Sequence, residues 1–79
     1  MRKQPRPTLV LSFHTTAAAM QARQACDAAG IPGRLFPVPR QLSSDCGIAW
    51  ASDPADRPRI EALAAAGELE PAEIVELTL

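Results

Sequence analysis

Cys46 follows the run Pro37-Val-Pro-Arg40-Gln-Leu-Ser43-Ser44-Asp45 and precedes Gly47, which sets one thiol in a polar, proline-stiffened loop just ahead of an apolar stretch. A reactive thiol needs access and an electropositive setting that favours its thiolate, whereas a buried cysteine behaves as a small inert hydrophobe. Cys46 is therefore the candidate nucleophile, and Cys26, set among alanines at helical spacing, is read as a core thiol. Around Cys46 the loop supplies further chemistry. Arg40 can hold an anionic substrate or a partner carboxylate with its planar fork, or stand as a solvated loop charge. Ser43, Ser44 and Gly47 can present hydroxyls and amides to an anion, although serines in such a loop are also ordinary turn formers. His14 can donate to the Cys46 sulfur as an imidazolium, or tie a strand end to a helix start.

Two other chemistries fit these residues poorly. A serine nucleophile served by His14 and Asp45 requires the acid to orient the base, yet Asp45 adjoins the serines in the same loop. A zinc site drawn from Cys26, Cys46 and His14 lacks a fourth soft ligand and any closely spaced ligand pair. No metal and no cofactor is expected.

The chain has 79 residues, 47% of them apolar, with a net charge of −1. That allows one domain with one modest core and excludes wholesale disorder. No apolar run approaches the roughly 20 residues that cross a bilayer, and the basic start lacks the features of a signal peptide. A cytoplasmic protein without membrane attachment is expected. Two widely spaced cysteines argue for free thiols over a disulfide framework. Arg2, Lys3 and Arg6 load the start of the chain, while Arg23, Arg34 and Arg40 are scattered, so the basic face that phosphate neutralisation requires is missing and nucleic acid is not an expected partner.

Residues 1–7 read as a disordered basic tail and residues 8–79 as a single domain. Thr8–Phe13 is a short, partly β-branched run expected to form a central strand. Thr15 or Thr16 can cap a helix over Ala17–Ala29, with Ala19, Ala22, Cys26 and Ala29 on its inner stripe and Gly30 as its stop. Gly33–Val38 ends in Pro-Val-Pro and suits only an edge strand. Gly47–Ala51 is a third strand. A second helix, capped from within Ser52–Asp56, turns Ile60, Leu63 and Ala64 inward, with Pro58 in its first turn if Asp56 is the cap. Glu73–Leu79 alternates as a last strand. Phe36 and Trp50 are candidates for a stacking platform on an uncovered sheet face, for core, or for a dimer contact.

The order β-α-β-β-α-β at this length predicts an α+β, ferredoxin-like fold: a four-stranded antiparallel sheet in order 4-1-3-2 with two helices on one face. Such a sheet brings His14, Arg40, Cys46 and the start of the first helix to one rim. Unpaired amides and positive charge there would favour a thiolate. Glu68, Glu70 and the negative end of the second helix should reach the same rim and oppose the effect.

Ser12-Phe-His-Thr-Thr16, Ala29-Gly-Ile-Pro32, Pro37-Val-Pro-Arg40 and Leu42-Ser-Ser-Asp-Cys-Gly-Ile48 together make the stretch Leu9–Trp50 resemble a family of small bacterial selenium/sulfur carrier-like domains. The combination of Pro-x-Pro-Arg with Ser-Ser-x-Cys-Gly carries the resemblance. It implies Cys46 as acceptor of a persulfide or selenopersulfide; the function expected on that basis is a carrier in preference to a stand-alone enzyme, with a cysteine desulfurase-like donor and an acceptor protein as partners. The chain departs from the pattern at Cys26, where relatives tend toward a larger aliphatic residue, and in its proline-interrupted second helix. The other function class open to this sequence is a non-catalytic interaction or regulatory module that binds a protein or small metabolite, since this fold hosts many unrelated roles. Under either reading a second copy of the chain is a candidate partner.

Overall fold

The computed structural model describes residues 6–40, 42 and 46–79; the tail before Arg6, together with Gln41, Ser43, Ser44 and Asp45 of the loop, lies outside them. Strands β1 (Pro7–Ser12), β2 (Arg34–Pro37), β3 (Ile48–Ser52) and β4 (Glu73–Thr78) alternate with helices α1 (Thr16–Ala28) and α2 (Arg57–Ala65) in an α+β fold. The sheet order is β2-β3-β1-β4 and every pair is antiparallel, the order 4-1-3-2 counted from the other edge. β1 begins at Pro7, one residue earlier than its apolar run suggests, because Arg6 and Leu79 exchange backbone bonds at 2.9 and 3.0 Å and prolong the β1–β4 ladder. Leu9, Val10, Leu11 and Ser12 are all inaccessible, as a central strand requires.

Residues directly opposite in antiparallel strands share a face. Leu11 lies across from Trp50 and Ile74, and Trp50 lies across from Leu35. This face meets the α1 stripe of Ala19, Ala22 and Cys26, and Ile60 of α2, in one apolar cluster, so both helices cover it. The next residues along, Phe36 opposite Ala49, point the other way. Trp50 and Phe36 therefore occupy opposite faces, and the shared stacking platform is ruled out: Trp50 is core.

Local sequence explains the helix limits. The Thr15 side chain accepts from the Ala18 amide at 3.0 Å, the bond expected of a helix N-cap. At the other end Gly30 takes φ +72, and the Ile31 amide donates to the Cys26 carbonyl at 2.9 Å, closing α1 in a Schellman motif. A short turn leads into the second helix. Asp53 caps a short 3-10 turn over Pro54–Asp56 by accepting from Ala55 N at 2.8 Å, and α2 follows with Pro58 in its first turn, where a missing amide costs little. Arg59 then pairs with Asp56 and donates to the Ala29 carbonyl just past α1, fastening one helix to the other.

The Pro-Val-Pro segment finishes β2 at the sheet edge. Val38 N donates inward to Gly47 O at 3.0 Å. By the alternation of an antiparallel ladder, Pro37 and Pro39 fall where their amides would have faced away from β3, so no inter-strand bond is lost.

Candidate functional site

The ladder registers gather one rim of the sheet. Ser12, at the end of β1, lies opposite Ala49 near the start of β3 and opposite Glu73 at the start of β4. Val38 is bonded to Gly47 just beyond the β2–β3 ladder, and the Thr15 cap opens α1 from the same end of β1. Cys46 precedes Gly47 at this rim.

Cys46 is half-buried and packs against the core cluster, while its Sγ donates to the Ile48 carbonyl at 3.3 Å. The sulfur thus sits where the helix-covered face meets solvent, with an apolar side toward the cluster that includes Phe13. Gly47 turns the chain beside it at φ +73, a conformation costly for residues with a Cβ, and nothing lies within 4 Å of where one would stand. Only the backbone demands glycine here.

The other expected residues divide. His14 is exposed next to the inaccessible Phe13, at the end of β1. Arg40 is exposed and bracketed by a turn in which Leu42 N donates to Pro39 O at 3.0 Å. Ser43 and Ser44 lie outside the described residues. α2 ends at Ala65, Glu68 and Glu70 are exposed, and the register sets Glu73 beside Ser12 at this rim.

Cys26 contrasts with Cys46. It is inaccessible on the inner stripe of α1, and burial, followed by the Asp27 and Asp56 carboxylates, pushes its thiol above the ordinary range. Both cysteines are free thiols.

Two features escape sequence reasoning. One is the Ile48 carbonyl as partner of the thiol, an i to i+2 contact that exists only because the chain turns at Gly47. The other is a shallow depression of about 420 Å³ lined by Thr8, Pro32, Gly33, Arg34, Asp53 and the β3 end, at the opposite end of the sheet from Cys46. Among the described residues no helix is long and apolar enough to cross a membrane.

Comparison with known proteins gives one curated relative, the uncharacterized protein YtiA of Escherichia coli (strain K12), 40% identical over 43 residues, which are 53% of this chain and 51% of that one. The chain thus spans about half the length of the curated relative it matches. No solved structure matches it. The model of the family described as "Putative Se/S carrier protein-like" matches residues 8–76, nearly the whole of the fold just described, and the chain belongs to that family.

Proposed function

We propose that the protein carries sulfur or selenium on Cys46 between a desulfurase-like donor and an acceptor protein. The observation that carries this reading is the contrast between two thiols: Cys46 half-exposed at a rim where four strands and a helix start converge, Cys26 sealed in the core. The family match over residues 8–76 supports it.

The transfer is a thiol exchange. The Cys46 thiolate attacks the outer sulfur of a donor persulfide, the S–S bond of the donor breaks, and the donor leaves as a thiolate while Cys46 holds the new persulfide. No electrons are gained or lost overall, so no oxidant is needed. The acceptor protein repeats the exchange in the opposite sense. The thiol donates to the Ile48 carbonyl, and the donor protein approaches from its solvent side. Arg40 supplies positive charge at the rim, His14 a ring N–H donor, and Ser43, Ser44 and Gly47 hydroxyl and amide donors for the terminal chalcogen. The chemistry is completed by the partners, since the rim needs no general acid of its own to receive sulfur.

Incubation with cysteine and a cysteine desulfurase, read by intact-protein mass spectrometry, should add one sulfur atom. The adduct should vanish in Cys46→Ser and persist in Cys26→Ala. An adduct that survives Cys46→Ser, or no adduct on the wild-type chain, would overturn the proposal.

A further inference from the structure

Arg6 and Leu79 exchange backbone bonds in both directions, so they are a hydrogen-bonded pair of the β1–β4 ladder. By the alternation of that ladder Leu77 and Val75 also bond inward, and Ile74, Glu76 and Thr78 turn their N–H and C=O groups away from the sheet. No turn, cap or side chain takes up those groups among the described residues. The β2 edge offers no such row, because Pro37 and Pro39 stand at its outward positions. β4 is thus the edge with unpaired donors and acceptors, the template that an added strand needs.

The charge along this edge is one-sided. Glu73 and Glu76 lie on β4, and exposed Glu70 precedes it. Arg57 is the cation that reaches the strand, and it is shared between Glu61 at 3.1 Å and Glu76 at 3.7 Å; Arg6 stands at the far end, beside Leu79. Glu73 has no ion-pair partner among the described residues. The two glutamates of β4 also rise on opposite faces. Glu76 shares the helix-covered face with Ile74, and Glu73 shares the other with the half-buried Val75 and Leu77.

We infer that β4 takes an extended, basic segment of a partner protein as a fifth strand, paired antiparallel like every other strand of this sheet. Residues of the segment opposite Ile74, Glu76 and Thr78 exchange backbone bonds with them. Lys or Arg opposite Glu73 and Glu76, three residues apart, sets one cation on each face, and apolar residues opposite Val75 and Leu77 cover those two side chains. In strand addition the backbone bonds supply affinity and the side chains selectivity. A second copy of this chain does not fit the role, since its own β4 would bring another pair of glutamates to the joint.

The contact is short, so binding is weak and loosens with salt. It goes beyond the carrier reading and does not depend on the thiol: Cys46→Ser should leave it unchanged.

An acetylated and amidated peptide, Thr-Val-Lys-Val-Ile-Arg, aligns antiparallel with β4 from Thr78 back to Glu73, and NMR titration of the full chain with it at low salt tests the inference. Saturable binding below about 1 mM is expected, with amide exchange at Ile74, Glu76 and Thr78 slowed in the complex. N-methylation of the peptide at its Lys or Ile, whose amides face β4, should abolish binding. N-methylation at the Val between them, whose amide faces away, should leave it within about 3-fold. A peptide with Glu in place of both cations should bind at least ~10-fold more weakly, and Glu73→Lys, shown to be folded by far-UV circular dichroism, should weaken the original peptide about 5-fold. No saturable binding to the wild-type chain, equal binding after N-methylation at Lys, or equal binding of the charge-reversed peptide would each overturn the inference.

Discussion

Gly33 shows how a single position can hold a strand in place. A Cβ there would stand 2.5 Å from the Ala51 carbonyl and 2.5 Å from the Trp50 ring, both in the body of the sheet. The same ring donates its indole N–H to the Ser52 hydroxyl at 2.7 Å, and that hydroxyl donates to the Pro32 carbonyl at 3.0 Å. The backbone at 32 and 33 is thus tied to β3 by the Ser52–Pro32 bond and kept there by the absence of a side chain. Gly33→Ala forces either the indole or the strand to move, and strain of this kind costs about 1–3 kcal/mol. Urea denaturation followed by Trp50 fluorescence should show that loss; a midpoint equal to wild type would mean the approach is looser than described.

At the scale of elements, α1 depends on its first turn. The Thr15 side chain at its N-cap accepts from the Ala18 amide, and the first turn carries no acidic residue to assist it. Thr15→Ala should cost about 1 kcal/mol, which for a domain of this size lowers Tm by roughly 4–8 °C; thermal melts by circular dichroism check it, and Thr15→Asp should recover most of the loss. This helix was legible from residue order because every signal agreed: threonines before it, small residues at helical spacing, glycine after it. The sheet order was legible for a similar reason, since short connections leave few ways to pack four strands and two helices. The start of α2 was less so, because Asp53 and Asp56 are both able to cap; the Asp53 side chain caps the 3-10 turn, while Asp56 stands at the start of α2 without a side-chain cap bond. The side of Trp50 and Phe36 was not resolved by composition, for a one-residue change of register exchanges the two faces and only the pairing of Leu35 with Trp50 decides it. For the site, chain order placed Cys46 at the rim. Its half-burial and its bond to Ile48 depend on where the helices stop covering the sheet, which is a property of packing and not of the local sequence.

For the whole molecule, one modest core must hold 79 residues, so small linkages to solvent conditions are visible. Cys26 provides one. Its folded thiol holds its proton more tightly than the unfolded thiol does, because the core and two carboxylates disfavour the anion. The native state therefore binds more protons than the unfolded chain in the alkaline range: this contribution is complete below the ordinary thiol pKa of about 8.5 and is lost as pH rises through the folded value. The chain has no tyrosine to titrate beside it. Urea midpoints measured from pH 7 to pH 10 should fall, and Cys26→Ala, though less stable at neutral pH, should fall less steeply; parallel slopes would remove Cys26 as the cause. The two sheet margins, finally, are unlike. β4 has backbone groups free to bond on its outer side, whereas Pro37 and Pro39 deprive the β2 margin of successive donors. Lateral addition of a strand is therefore disfavoured at the β2 margin, where two ring-closed amides remove donors, and head-to-tail growth of the sheet meets that penalty at every junction.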